Sequence, residues 1–225
     1  MNKVSAIILA AGSGSRFGEK KQFKKLNGSP IWTYSLNTFI ESNCFQEVIL
    51  VISRESMNEL KDSEEFYQFS KTINIKLVCG GKSRQGSVNS GLESVDKNNN
   101  IICIHDAARP FVNQEHVKVV IEACSEFDGS VLAIPATDTI KLIQGGVVET
   151  TTDRKSTWMA QTPQAFHKEK LLHAIDLHSN LKVTDESTFM ELAGFKIKII
   201  EGSSSNFKIT RKIDWDLAKI IESKK

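Results

Sequence analysis

Five short apolar runs, rich in valine and isoleucine, constrain the fold of this chain more than any other feature. They occupy residues 4–9, 47–52, 75–79, 101–105 and 130–134. Continuous apolar runs of this length, without alternation, predict strands that are buried on both faces of a sheet. Segments with helical spacing of apolar residues lie between these runs, at residues 31–40, 54–65, 88–95 and 117–124. The alternation of strand and helix predicts an α/β fold.

The predicted architecture is a Rossmann-like, mostly parallel sheet with helices on both faces. The pattern continues with helices near residues 168–178, 186–193 and 213–221 and a strand at 196–201. A chain of 225 residues is within the range of single α/β domains, so we expect one domain over residues 1–225. Ligands of such sheets bind beyond the carboxyl ends of the strands, which is where chemistry is expected.

The alternation breaks after the fifth run. Residues 139–150 read as two short strands around a Gly145-Gly146 turn, which predicts a β-hairpin. The segment has too few apolar residues to fold alone, and a loose flap is the alternative to an arm that packs on another subunit. We favour the arm, with bounds of 139–155, and expect it to serve dimerisation.

Charge and hydropathy exclude two classes of partner. Lys and Arg total 29 against 27 Asp and Glu, a formal net charge of +2, which lacks the basic field that nucleic-acid binding requires. The longest apolar run, residues 5–11, is far shorter than the ~20 residues of a membrane span. The start of the chain shows no signal-peptide pattern, so we expect a cytoplasmic protein that binds neither nucleic acid nor membrane.

Two glycine-rich loops follow predicted strands. The first runs from Ala10 to Gly18, and Arg16 and Lys21 add positive charge to backbone N–H groups that suit phosphates. A dinucleotide fingerprint is excluded because Phe17 stands where its third glycine belongs. The second loop begins at Gly80-Gly81, where glycines allow close approach of a flat base and Ser87 can hydrogen-bond its edge. Each loop alone is also compatible with a simple turn.

The fourth strand ends in Asp106, followed closely by Arg109. A single aspartate at a strand end can hold Mg²⁺ together with triphosphate oxygens, since magnesium usually takes only one or two protein carboxylates. The guanidinium of Arg109 offers a planar fork for a phosphate. A local ion pair between these two residues is the alternative. His105 is interpreted as structural, and Asp185-Glu186 as a cap and first-turn acid of the following helix.

These segments together resemble the cytidylyltransferases that act on 2-C-methyl-D-erythritol 4-phosphate in non-mevalonate isoprenoid biosynthesis. The similar motifs, in order along nearly the whole chain, are residues 9–16, Lys21-Gln22, Gly80-Gly81 with Arg84 and Ser87-Val88, 105–110, 161–164, 184–186 and 206–210. Each motif alone is weak, but seven in order are specific.

The resemblance implies a CTP-dependent transferase that works as a homodimer with crossing arms and uses Mg²⁺ or another divalent cation. It implies catalytic cations at Arg16, Lys21 and Lys208, with the metal on Asp106. It implies CTP contacts from Ala10, Ala11, Gly12, Gly14, Gly81, Lys82, Ser87 and Asp106. It implies contacts to a small polyol phosphate, some across the subunit boundary, from Arg109, Thr139, Arg154, Thr162, Thr184 and Thr210.

The chain departs from the family pattern at two loops. Lys21 follows Arg16 by five residues where seven are usual, and Lys20 replaces the usual proline. Lys82 stands where an acidic residue is common, so base selection is expected to rest more on the backbone and on Ser87. Three other functions stay open: a ribitol 5-phosphate cytidylyltransferase, a nicotinamide-dependent oxidoreductase and a non-catalytic nucleotide-binding protein.

Overall fold

A computed structural model of the chain describes residues 2–12, 14, 17–18 and 20–224. Its main feature is a seven-stranded sheet. In chain order, the strands of this sheet and of two small hairpins are β1 (Val4–Ala10), β2 (Lys25–Leu26), β3 (Ser29–Pro30), β4 (Glu47–Ile52), β5 (Ile75–Cys79), β6 (Ile101–Asp106), β7 (Gly129–Pro135), β8 (Lys141–Gln144), β9 (Val147–Thr151), β10 (Trp158–His167) and β11 (Ile197–Glu201).

The strand order of the large sheet is β11-β7-β10-β6-β1-β4-β5. All neighbouring pairs are parallel except those of β10, which runs antiparallel to both β6 and β7. This confirms the predicted mostly parallel α/β sheet, and all five predicted apolar runs are strands in it. Three strands were not predicted from the sequence: β10, which is the antiparallel strand of the sheet, and the two-residue strands β2 and β3.

Helices cover both faces of this sheet, as predicted. They are α1 (Ile31–Glu41), α2 (Met57–Lys61), α3 (Glu64–Ser70), α4 (Arg84–Glu93), α5 (Gln114–Glu122), α6 (Lys168–Leu177), α7 (Ser187–Leu192) and α8 (Lys212–Glu222). Alternate side chains of β1 separate the two layers: Ile8 packs in the cluster that holds α1 and α5, and Ile7 packs in the cluster of α4, α6 and α7. Burial of both faces explains the continuous apolar runs.

One predicted helix, over residues 54–65, is not continuous in the structure. The segment 54–65 is a 3-10 turn (Arg54–Ser56) followed by α2, and the chain then restarts as α3. Ser63 causes the restart, because its hydroxyl accepts a hydrogen bond from the Phe66 backbone N–H and donates one to the Leu60 carbonyl. A serine that caps a new helix competes with continuation of the previous one.

The parallel register brings the functional segments to one edge of the sheet. Leu9 of β1 lies opposite Asp106 of β6, and Ala10 lies opposite Ile52 of β4. Ile52 in turn lies opposite Cys79, the last residue of β5. The loop that follows β1 therefore begins beside Asp106, and the loop that follows β5 begins at the same edge of the sheet, two strands further from Asp106.

The hairpin of β8 and β9 forms a separate two-stranded sheet. Its turn contains Gly145 and Gly146, both with positive φ (58° and 84°), the backbone region that favours glycine. Every residue of both strands is exposed. Among the described residues, no helix is both long and apolar enough to cross a membrane.

Candidate active site

A cavity of about 550 Å³ opens at the carboxyl edge of the sheet. The segments that line it are the end of β1, the two glycine-rich loops, the end of β6 and the segment that follows β11. Its lining residues are Leu9, Ala10, Ala11, Gly12, Gly14, Lys20, Lys21, Gln22, Ser53, Glu55, Gly81, Lys82, Ser83, Arg84, Ser87, Asp106, Ala108 and Lys208. All eight residues predicted to contact CTP are among them, together with Lys21 and Lys208.

Asp106 lies where two cations converge. Its Oδ2 is 2.6 Å from Nζ of Lys208, and its Oδ1 is 3.3 Å from Nε of Arg84. The residue is only 7% exposed. The alternative raised from the sequence, a local ion pair between Asp106 and Arg109, is not what these contacts show: the partners of Asp106 come from α4 and from the segment after β11.

The charge of Asp106 is fixed by these neighbours. Burial alone would raise the pKa of its carboxyl, but the positive charges of Arg84 and Lys208 outweigh burial and hold the pKa well below its usual range. The Lys208 ammonium also donates a hydrogen bond to the carboxylate. Asp106 is therefore an anion at neutral pH, as a metal ligand must be.

Arg84 connects Asp106 to a second, deeper carboxylate. Its Nη1 is 2.8 Å from both oxygens of Glu186, whose side chain is 1% exposed. Burial opposes the charge of this guanidinium, but the two carboxylates raise the Arg84 pKa above its ordinary value. Burial raises the pKa of the Glu186 carboxyl, whereas the Arg84 guanidinium, 2.8 Å from both of its oxygens, opposes that rise and favours the ionised form. Arg84, Lys208, Asp106 and Glu186 thus form a cluster of two cations and two carboxylates, which we call the charge cluster.

His105 and Thr162 support Asp106 from beneath. His105 Nε2 lies 3.2 Å from the Arg109 carbonyl, which can only accept, so Nε2 carries the proton. Thr162 then donates its hydroxyl hydrogen to Nδ1 (3.1 Å) and accepts from the Asp106 backbone N–H (3.0 Å). Burial lowers the pKa of His105 to about 4, which keeps the ring neutral. The structural role predicted for His105 is confirmed by these contacts.

The segment that carries Lys208 is anchored by Asn206, which is fully buried. Its Nδ2 donates to the side chain of Gln161 (3.0 Å) and to the Thr162 carbonyl (2.9 Å). Its own carbonyl accepts from Nη1 of Arg109 at 2.8 Å. These bonds fix the chain two residues before Lys208, so the position of that ammonium is set by β10 and by the loop after β6.

Close contacts between backbones shape the two glycine-rich loops. A Cβ on Gly80 would lie 2.5 Å from Cβ of Ala11, and one on Gly81 would lie 2.7 Å from the carbonyl carbon of Gly86. Only glycine fits at such distances. The Gly80 contact brings the two loops together, whereas the Gly81 contact packs the second loop onto the first turn of α4. Gln22, 3% exposed, holds the first loop by donating to the carbonyls of Ala10 and Gly12, each at 2.7 Å.

Lysines line the other side of the cavity. Lys21 begins a 3-10 turn, Lys21–Phe23, directly after the first loop. Lys20, which replaces the family's usual proline, is 2.6 Å from Oε2 of Glu55 and so ties the first loop to the segment after β4. Arg16, the third predicted catalytic cation, lies outside the described residues.

Six predicted acceptor-binding residues do not line this cavity. The guanidinium of Arg109 and the hydroxyl of Thr162 are engaged inside the chain, as described above. Thr210 donates its hydroxyl to the Lys208 carbonyl, and the exposed Arg154 donates to the Thr137 carbonyl. Thr139 and Thr184 are exposed. Their predicted contacts to a polyol phosphate stay predictions.

The sequence analysis assigned no site role to Arg84, Gln22 or Glu186, although all three belong to the motifs it identified. Glu186 was interpreted as a first-turn acid, and its side chain forms no capping hydrogen bond with the described backbone of α7. Its partner Arg84 is 102 residues away in the chain, so no local pattern reveals the pair. At the start of α8, by contrast, Asp214 does accept from the backbone N–H groups of Thr210 and Arg211.

Comparison with known proteins adds an independent line of support. Residues 4–224 match the family model described as IspD: 2-C-methyl-D-erythritol 4-phosphate cytidylyltransferase. The 2-C-methyl-D-erythritol 4-phosphate cytidylyltransferase of Halalkalibacterium halodurans is 35% identical over 225 residues, which cover 98% of this chain and 97% of that protein. The bifunctional enzyme IspD/IspF of Desulfotalea psychrophila is 38% identical, but the chain spans only 56% of its length.

Solved structures show the same fold. The 4-diphosphocytidyl-2C-methyl-D-erythritol synthase of Anaerococcus prevotii superposes with a TM-score of 0.86 at 30% identity and 99% coverage of both chains. The 2-C-methyl-D-erythritol 4-phosphate cytidylyltransferase of Francisella tularensis gives a TM-score of 0.79 at 31% identity, over 97% of this chain and 99% of that one.

Proposed function

Because the chain belongs to the 2-C-methyl-D-erythritol 4-phosphate cytidylyltransferase family and is thus a nucleotidyltransferase, we propose that the cavity beside Asp106 is where it works. The reaction is transfer of a cytidylyl group from CTP to 2-C-methyl-D-erythritol 4-phosphate, with release of pyrophosphate, in isoprenoid precursor biosynthesis. The observation that carries the proposal is the convergence of Arg84 and Lys208 on a buried, ionised Asp106 between two glycine-rich loops.

The cavity suits a nucleoside triphosphate. Backbone N–H groups of residues 10–12 and 14 and the lysines at 21 and 208 supply positive potential for the phosphates. Gly81 lines the cavity without a side chain, so a flat base can approach the backbone there. Ser87 donates its hydroxyl hydrogen to the Ser83 carbonyl, so its oxygen lone pairs are left to accept from the amino group of cytosine.

The chemistry requires charge stabilisation and alignment of reactants. A phosphate oxygen of the acceptor attacks the α-phosphorus of CTP, a new P–O bond forms, and the bond to the bridging oxygen of pyrophosphate breaks. A phosphate dianion is already nucleophilic near neutral pH, so no general base is needed. Lys21, Lys208 and Arg16 neutralise the charge that spreads over the α-phosphate and the leaving group.

Asp106 fits a divalent cation that arrives with the nucleotide. Among the described residues, no group of three or more His, Cys, Asp or Glu side chains could hold a metal ion by itself. One ionised carboxylate is nevertheless enough for magnesium, which completes its shell with phosphate oxygens and water. When bound, such an ion polarises the phosphates and neutralises developing charge. Asp106 is the residue that would hold it.

The acceptor is proposed to bind where a second subunit completes the site. Thr139 and Arg154 flank the hairpin, whose apolar side chains are exposed in the single chain. Packing of the hairpin from residues 139–155 on a partner would cover these side chains and bring Thr139 and Arg154 to the neighbouring cavity. We propose that Arg109, Thr162, Thr184 and Thr210 shape the rest of the acceptor pocket.

Pyrophosphate release from CTP tests the proposal. The protein is mixed with CTP, Mg²⁺ and either 2-C-methyl-D-erythritol 4-phosphate or ribitol 5-phosphate, and pyrophosphate is followed by a coupled assay. We expect multiple turnovers with the first acceptor and at least tenfold less with the second. Preference for ribitol 5-phosphate would replace the acceptor, and no release with either would reject the transferase function. Replacement of CTP by UTP in the same assay measures how strictly Lys82 and Ser87 select the base.

A further inference from the structure

Glu186 is a buried carboxylate that the proposed chemistry does not use. It lies at the start of α7, is 1% exposed, and both of its oxygens are 2.8 Å from Nη1 of Arg84. Burial of an ionised carboxylate is unfavourable unless the charge is neutralised and hydrogen-bonded. Helix capping does not account for the burial, because the side chain forms no cap with the described part of α7. Its contacts point to Arg84.

Arg84 contacts Glu186 and Asp106 at different distances. Nη1 makes two short contacts to Glu186, whereas only Nε, at 3.3 Å, approaches Asp106. A guanidinium normally prefers to bind one carboxylate through two parallel N–H groups. Glu186 therefore receives the shorter hydrogen bonds of Arg84, and Asp106 receives a longer one.

We propose that Glu186 is a positioning residue that acts through Arg84, holding the guanidinium so that the Asp106 carboxylate remains available to the cation accompanying a triphosphate. This inference rests on the proposed function, because it presumes a metal–nucleotide complex at Asp106. Two consequences follow from charge and geometry.

The first consequence concerns competition for Asp106. Without the negative charge of Glu186, Arg84 has a single anion to neutralise, and its fork is free to turn fully onto Asp106. The second concerns net charge. The charge cluster is neutral with two cations and two anions, and loss of one anion leaves a net positive charge where a divalent cation must bind. Both effects weaken metal binding, and neither weakens binding of the anionic nucleotide alone.

The test is binding of Mn²⁺, a paramagnetic substitute for Mg²⁺, to the full chain in the presence of CTP and without acceptor. Free Mn²⁺ is measured by electron paramagnetic resonance, with the Mn²⁺–CTP complex in buffer as background. For Glu186→Gln, which keeps the side-chain volume, we expect Mn²⁺ affinity to fall about tenfold, because Arg84 can turn onto Asp106 and one negative charge beside the metal is lost. CTP affinity in EDTA should stay within twofold of wild type or become tighter.

The matched control is Glu191→Gln, which removes the same charge from an exposed position on the same helix, α7. It should leave both affinities within twofold. Glu186→Asp keeps the charge and should bind Mn²⁺ within about threefold of wild type. An equal loss of Mn²⁺ affinity in Glu186→Gln and Glu186→Asp would overturn the proposal. A parallel loss of Mn²⁺ and CTP affinity in Glu186→Gln would also overturn it, because that is the result expected from a loosened fold.

A double variant tests whether the effect passes through Arg84. Arg84→Gln removes the competing cation, so we expect it to bind Mn²⁺ at least as tightly as wild type, a result that is informative even if Glu186→Gln does not fold. In that background only the loss of charge remains, so Glu186→Gln should weaken Mn²⁺ binding by a smaller factor than it does when Arg84 is present. A tenfold loss of Mn²⁺ affinity in Arg84→Gln alone would contradict the proposal that Glu186 acts through Arg84. An effect of Glu186→Gln on Mn²⁺ affinity that is equally large with and without Arg84 would also contradict it.

These outcomes separate the inference from the proposed reaction. If wild type binds Mn²⁺ and CTP but releases no pyrophosphate with any acceptor, the proposed reaction fails and the role of Glu186 stands. If wild type turns over and Glu186→Gln binds Mn²⁺ normally, the role of Glu186 fails and the reaction stands.

Discussion

The charge cluster and the hairpin of β8 and β9 are opposite kinds of surface in the same chain. In the cluster, buried Asp106 and Glu186 are neutralised by Arg84 and Lys208, all from this chain. In the hairpin, Ile143 is 65% and Val147 is 71% exposed. In the charge cluster, buried charges are paired, which offsets the free-energy cost of burying them. In the hairpin, apolar side chains are exposed to water, although their burial would be favourable.

The contrast indicates which parts of the site the single chain completes. A two-stranded hairpin alone in water is marginally stable, and exposed contiguous apolar side chains mark interaction surfaces. We therefore propose that the nucleotide half of the site is complete in one chain, whereas the acceptor half needs the hairpin of a second copy. The following predictions test this division, from the largest expected effect to the smallest.

Removal of the cations that we propose to be catalytic should have the largest effect. For Lys208→Ala and Lys21→Ala we expect kcat to fall about 10²- to 10³-fold, since each supplies a fixed positive charge to the transition state. The fold should persist in Lys208→Ala because Arg84 still neutralises Asp106. Steady-state pyrophosphate release and circular dichroism measure the two properties. Lys61→Ala, at an exposed position of α2, is the control and should leave kcat unchanged; near-normal kcat in both cavity variants would contradict the assignment.

The interior beneath the cluster should respond to pH through His105. Burial lowers its folded pKa to about 4, below the unfolded value of about 6.5. Between these values the unfolded chain binds more protons, so the free energy of unfolding falls as pH drops from 6.5 towards 4. The contribution by pH 4 is on the order of 3 kcal/mol.

Urea unfolding of wild type and His105→Gln at a series of pH values measures this contribution. The stability difference between the two proteins should shrink as the pH falls from 6.5 to 4, because the glutamine does not titrate. A difference that stays constant over this range would show that His105 does not carry the effect.

Polar substitution of the hairpin should have the smallest effect on the single chain. Because Ile143 and Val147 are exposed, the double variant Ile143→Ser/Val147→Ser should change the unfolding free energy of the monomer by less than about 0.5 kcal/mol. Sedimentation should show loss of self-association, and transfer to the acceptor should fall while CTP affinity is kept. Ile213→Ser, an equally exposed position on α8, should leave association intact. Normal self-association of the hairpin variant would contradict the proposal that the hairpin completes the acceptor half of a second subunit's site.

The sequence predicted the parallel strands well, because burial on both faces leaves an unmistakable apolar run. β4 and β5 have the bounds that were predicted. β10 was missed because its centre is polar: Gln161, Thr162 and Gln164 are buried there through hydrogen bonds rather than apolar contacts. A pattern based on hydrophobicity cannot recognise a strand of that kind.

The part of the site that follows buried strands could be predicted from the sequence. Loops that follow buried strands are recognisable locally, so the glycine-rich loops and Asp106 could be identified from the residues alone, and the parallel register brings them together. Arg84 and Glu186 became recognisable as a pair only in three dimensions, since 102 residues separate them. The roles proposed for Thr139 and Arg154 came only from the resemblance to the family, because both are exposed residues that no local pattern distinguishes.

A crystal structure of the chain with CTP and Mg²⁺ tests most directly whether the charge cluster binds a metal–triphosphate. We expect the metal on Asp106, the triphosphate within hydrogen-bonding distance of Lys208 and Lys21, and the cytosine beside Gly81 and Ser87. A nucleotide bound away from this cavity, or a triphosphate with no metal at Asp106 under saturating Mg²⁺, would contradict this assignment.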